Sequence, residues 1–100
     1  MKYHKLIRDK IPQLIKRNGG VPIVHIATQK EYWLKLKEKL QEEIAEFNED
    51  ESVEEMADIL EVLEAMCKHK KFNKRKLASV KAKKLKERGG FKKKIILEES

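Results

Sequence analysis

One hundred residues, 40% of them hydrophobic and 41% charged, suffice for a single domain spanning 1–100 and carry too much apolar material for disorder throughout. The formal net charge of +7 favours an anionic partner, but the charge is uneven, lysine-rich over 68–94 and strongly acidic over 38–64, a pattern that makes a nucleic-acid partner unlikely. No apolar run is long enough for a membrane span, the N-terminus has no signal-peptide core, and the lone Cys67 excludes an intramolecular disulfide and suits the cytoplasm.

Residues 9–18 read as a short helix. Asp9 stands where a cap belongs, Pro12 falls in the first turn where its missing N–H costs nothing, and Ile11, Leu14 and Ile15 form an apolar stripe. Gly19-Gly20 ends it. Residues 21–27 are rich in β-branched side chains but contain Pro22, which leaves an extended connection or a short edge strand. Thr28 then caps the next helix, with Glu31 in the capping-box position.

Over 29–47 the spacing of Trp33, Leu36, Leu40, Ile44 and Phe47 predicts a long amphipathic helix with Trp33 in the core. Glu43 lies one turn from Leu40 and from Phe47, on the buried face. After a polar turn at 48–51, Ser52 caps a helix that runs to about His69 and is apolar over more than half its circumference. That width marks it as the central helix, covered on several sides and in part by a second copy of the chain. Asn73 caps a last helix to Arg88, Gly89-Gly90 stops it, and the tail 91–97 is extended, with Ile95, Ile96 and Leu97 covered by another element. The fold class is all-α: an antiparallel helical bundle around a central acidic helix pair.

That pair carries two acidic clusters, Glu42-Glu43-Ile44-Ala45-Glu46 and Glu54-Glu55-Met56-Ala57-Asp58. Residues three apart share a helix face, so Glu43 with Glu46 and Glu55 with Asp58 each present two carboxylates. If the helices fold back on each other, four carboxylates converge, and their repulsion calls for a divalent cation. Oxygen-only donors select a hard ion, Mg²⁺ first and Mn²⁺ next. The competing reading is a solvated face paired with Lys35, Lys37 and Lys39, against which the core-facing place of Glu43 weighs. Lys84 and Arg88, one turn apart, suit a phosphate, or else a solubilising last turn that complements the helix dipole. Arg8 and Lys10 share that ambiguity. His4, His25 and His69 have no ligand spacing.

Glu42-Glu43-x-x-Glu46, a turn and Glu55-x-x-Asp58 in an antiparallel helix pair resemble the signature of the all-α nucleoside-triphosphate pyrophosphohydrolases, the MazG-like superfamily. The opening Lys5-Leu6-Ile7-Arg8-Asp9-Lys10-Ile11-Pro12 and the closing Lys84-x-x-x-Arg88-Gly89-Gly90-Phe91 look like the flanks of its small phosphoribosyl-ATP pyrophosphohydrolase-like members, so the resemblance covers most of the chain. It implies Mg²⁺-dependent cleavage of a nucleoside triphosphate between the α and β phosphates; the homodimer or higher oligomer is expected from the short chain and the wide apolar face of its central helix. The metal ligands would be Glu43, Glu46, Glu55 and Asp58, with Glu42 a neighbour that orients water or ligand; Glu42 and Glu43 are taken as the catalytic pair, and, from their charge and spacing, Lys84, Arg88, Arg8 and Lys10 as the phosphate-binding cations. Only eight residues separate Glu46 from Glu55, fewer than is usual in that superfamily, which leaves the substrate open, with phosphoribosyl-ATP the alternative. A reading of another class is a non-enzymatic basic helical protein that binds nucleic acid through 70–94.

Overall fold

Side-chain caps decide where three of the four helices begin. In the computed structural model, which describes residues 4–100, these are α2 (Gln29–Glu49), α3 (Val53–His69) and α4 (Lys74–Arg88), preceded by α1 (Ile11–Arg17). Thr28 Oγ1 accepts the Glu31 N–H at 3.2 Å, Ser52 Oγ the Glu55 N–H at 3.3 Å and Asn73 Oδ1 the Lys76 N–H at 2.9 Å. Each bond satisfies an amide that a helix start leaves unpaired and is worth about 1 kcal/mol. The reciprocal half of the capping box is made in neither case. Glu31 turns its carboxylate to His25 at 2.9 Å, and the Ser52 N–H donates to the Asp50 carbonyl at 2.7 Å, so Glu55 does not spend its carboxylate on the cap.

The start of α1 differs from the sequence reading. Lys10, not Asp9, is the N-cap residue, and it has no side-chain cap. None is needed, because the Ile11 N–H reaches the Arg8 carbonyl at 3.1 Å and Pro12 has no N–H to satisfy. At the other end Gly19 (φ +88°) donates to Lys16 and Gly20 donates to Ile15, the paired bonds of a Schellman stop.

The chain divides into two compact units, Met1–Lys70 and Lys71–Ser100. In the first, α2 packs on α3 after a connection of only three residues, 50–52. The short connection makes them antiparallel and sets Glu43 near Asp58 and Trp33 near His69. Leu36, 2% exposed, is the sole buried hydrophobic side chain among the described residues. Trp33 is half-buried, not enclosed: its ring stacks on His69 at 5.4 Å and 10°, and Lys70 Nζ lies 4.3 Å from its centroid.

α3 is covered less than its composition suggests. It has no fully buried residue, and Val53, Met56, Leu60 and Leu63, at the i, i+3, i+7 and i+10 positions of one stripe, are all exposed. Periodicity tells which face is apolar; how many elements cover it is a separate matter. Residues 21–27 form no strand, and Val21, Ile23, Val24 and Ile26 are exposed, because an edge strand requires a neighbour to pair with and none is provided among the described residues. In the second unit every residue is exposed, including Ile95, Ile96 and Leu97, so the expected cover for the tail is missing among the described residues. Taken by class, the chain is all-α, as its sequence predicts.

Candidate metal centre

The antiparallel register of α2 and α3 brings the acidic clusters together. Carboxylate oxygens of Glu43, Glu55 and Asp58 lie within 4.8 Å of one another, as do those of Glu42, Glu43 and Glu46, so Glu43 belongs to both groups. It is also the most enclosed of them, at 6% exposure. Leu40 and Phe47, one turn to either side and half-buried, direct it inward, as the spacing predicts.

Glu43 Oε1 sits 3.3 Å from Lys39 Nζ, whereas Glu43 Oε2 and Glu55 Oε2 are buried without a hydrogen-bond partner. An orphaned buried carboxylate oxygen is costly, and Glu43 and Glu55, which have one each, form with Asp58 a group that could hold a cation. Oxygens on opposite sides of an octahedral Mg²⁺ lie about 4.2 Å apart, a spacing compatible with the observed grouping. Burial pushes the Glu43 carboxyl above the usual carboxylate range, Lys39 pulls it down, and the neighbouring Glu46 raises it again.

The cations divide differently from the sequence reading. Arg8 binds Asp58 at 2.6 Å through Nη2 and Glu61 through Nη1, and these two hydrogen bonds raise its pKa. It thus fastens the N-terminal segment to α3 across a candidate metal ligand. Lys5 reaches Glu42 at 3.3 Å and Lys39 reaches it at 3.5 Å. The salt-bridged reading of α2 is therefore realised in part: Lys35 pairs with Glu38 and Lys39 with the cluster, while Lys37 lies 5.6 Å from the Trp33 centroid. Lys10 is exposed at the start of α1, and Lys84 and Arg88 belong to the second unit. Sequence reasoning missed Lys5 and Glu61 as members of the network. Nothing local connects either of them to its partner, whereas Lys39, at i−4 of Glu43 and i−3 of Glu42, had a readable signal.

No family model matches the chain, and no solved structure matches it. A protein of Mycolicibacterium smegmatis with no assigned function is 45% identical over 42 residues, which are 42% of this chain and 43% of that protein, so the match spans less than half of the relative. No helix among the described residues is long and apolar enough to cross a membrane.

Proposed function

We propose that the chain is a Mg²⁺-dependent nucleotide pyrophosphohydrolase that cleaves a nucleoside triphosphate between the α and β phosphates, giving a monophosphate and pyrophosphate. The observation that carries this reading is the buried Glu43, whose Oε2 has no hydrogen-bond partner, grouped with the carboxylates of Asp58 and of Glu55, which also has a buried oxygen without a partner. Glu43, Glu46, Glu55 and Asp58 hold the cation, for which Mn²⁺ can substitute. When bound, the ion neutralises phosphate oxygens and acidifies a water.

The chain's own residues then position charge and move one proton. Glu43, the buried member common to both carboxylate groups, accepts it from the attacking water. Glu42, held between Lys5 and Lys39, orients that water. The water oxygen bonds to the α-phosphorus in line as the bridging P–O bond breaks, and pyrophosphate leaves with the electron pair. Mounting the acids on two packed helices fixes them better than loops would. The working form is a homo-oligomer in which the open stripe of α3 meets a second copy, and the unpaired Cys67 fits a cytoplasmic setting.

Phosphorus NMR of reactions with a panel of nucleoside triphosphates and Mg²⁺ tests this. A monophosphate and pyrophosphate are expected, and orthophosphate with a diphosphate overturns the reading. Turnover of phosphoribosyl-ATP alone keeps the chemistry and changes the substrate.

A further inference from the structure

The packing of α2 on α3 is the sole helix-to-helix packing among the described residues, so α1 has no packed helix partner. Two cations three residues apart tie its lead-in, residues 4–10, to the pair. Lys5 Nζ lies 3.3 Å from Glu42 on α2, and Arg8 Nη2 lies 2.6 Å from Asp58 on α3, while Arg8 Nη1 pairs with Glu61 one turn further along. Leu6 and Ile7, between the cations, are half-buried, whereas 56% of the Arg8 side chain is exposed and has water to swing into. The two ties differ in what they hold. Glu42 stands outside the proposed ligand set, and Asp58 stands inside it, grouped with Glu43 and Glu55 and their orphaned oxygens.

Glu42, Glu43, Glu46, Glu55, Asp58 and Glu61 face Lys5, Arg8 and Lys39, so three negative charges are unmatched when every carboxylate is ionised. A divalent ion removes two of the three, and with them most of the field that draws Arg8 inward. An oxygen that coordinates the ion at about 2.1 Å, on a carboxylate that already holds a guanidinium, also sets two positive groups against each other. We infer that Arg8 is a metal-operated latch: it holds the α1 segment to α3 while Asp58 is its partner, and a divalent cation that takes Asp58 releases it, with Lys5 staying on Glu42 as the hinge. Glu61 alone, an exposed acid, is too weak a partner to keep the latch closed. A monovalent ion brings half the charge and leaves it closed, so release reports divalent occupancy. The inference rests on the cation-binding part of the proposed function and not on its hydrolytic part.

The test is the ¹H–¹⁵N heteronuclear NOE of the Arg8 Nε–H and of the α1 amides in the full chain, read in EDTA, in MgCl₂ and in KCl at the same ionic strength, with Mg²⁺ occupancy followed by calorimetry. Both signals are high in EDTA and in KCl, and both fall at Mg²⁺ saturation while those of α2 and α3 hold. In E43Q, which does not bind the ion, they stay high. R8Q has loose α1 amides without metal and binds Mg²⁺ about three- to fivefold more tightly. K16Q removes the same charge from an exposed position on α1 and changes affinity by less than about twofold. Signals that stay high at calorimetric saturation overturn the latch and leave the metal centre standing. An equal fall in KCl assigns the contacts to ordinary screening and overturns the latch too, as does weaker Mg²⁺ binding in R8Q. Absence of Mg²⁺ heat in the wild type removes the metal centre and the latch together, so the two failures are told apart by calorimetry alone.

Discussion

The two units handle charge in opposite ways. Met1–Lys70 holds twelve basic and fourteen acidic residues and matches many of them, Arg8 with Asp58 and Glu61, Lys5 and Lys39 with Glu42, and Lys35 with Glu38. Lys71–Ser100 has twelve basic residues against three acidic ones, and Lys83 with Glu87 is its one ion pair among the described residues. Among the described residues the first unit also has the two buried side chains, Leu36 and Glu43, while the second has none. An unmatched charge at an exposed position costs little, because water screens it; an unmatched oxygen at Glu43 is expensive and persists only where something else compensates. The difference teaches where to look: in the acidic unit the informative atoms are the unsatisfied ones, and in the basic unit the informative feature is how the satisfied-by-water cations cluster.

Replacing Glu43 with Gln should break the acidic side of this contrast most severely. Mg²⁺ affinity is expected to fall by more than the roughly 10–100-fold that outer-shell partners cost, with turnover lost and the fold intact. Without metal the variant should melt at a higher temperature, since one of several crowded negative charges is gone. Calorimetry and thermal melts check both, and undiminished Mg²⁺ affinity removes Glu43 from the site.

Assembly sharpens the contrast next, because the first unit leaves the α3 stripe open. Light scattering should return at least twice the 11.8 kDa chain mass, and Leu60→Lys should bring it down to a single chain. A wild-type monomer at micromolar concentration contradicts the oligomer.

A pH series probes the same carboxylate more gently. The Glu43 pKa is raised in the folded state, so its protonated form favours folding, and that stabilisation is complete below the ordinary glutamate value and lost as pH rises through the folded pKa. Metal-free wild type should therefore gain melting temperature relative to E43Q as pH falls from neutral toward that window. Mg²⁺ affinity should move the other way, tightening as pH rises and the carboxyl deprotonates. Parallel melting curves for the two proteins across that range count against the assignment.

Arg8→Gln should have the smallest effect on stability, about 0.2–1 kcal/mol for each exposed pair removed. It should nevertheless tighten Mg²⁺ binding several-fold, because Arg8 competes with the ion for Asp58. Weaker Mg²⁺ binding in R8Q would show the arginine supporting the site instead.

Much of this was legible in the sequence wherever a signal is local. The caps Thr28, Ser52 and Asn73 mark their helices because a hydroxyl or amide three residues before a free N–H is a short-range device. Glu43 is readable as inward-facing because Leu40 and Phe47 flank it by one turn. The Arg8 contacts lie fifty residues away in the chain, and no spacing rule reaches that far. Whether the α3 stripe would be covered was equally illegible, since amphipathicity describes one helix and burial requires two.

Trp33 is the chain's only tryptophan, and it is stacked on an imidazole at the open end of the hairpin, ten residues from Glu43 and so about 15 Å along α2. The molecule consequently carries its own optical probe of helix pairing. Separation of α2 from α3 must unstack the indole from His69 and change its emission, so opening of the hairpin can be timed without a label. The chromophore for that measurement lies well away from the carboxylates whose chemistry the experiment must leave undisturbed.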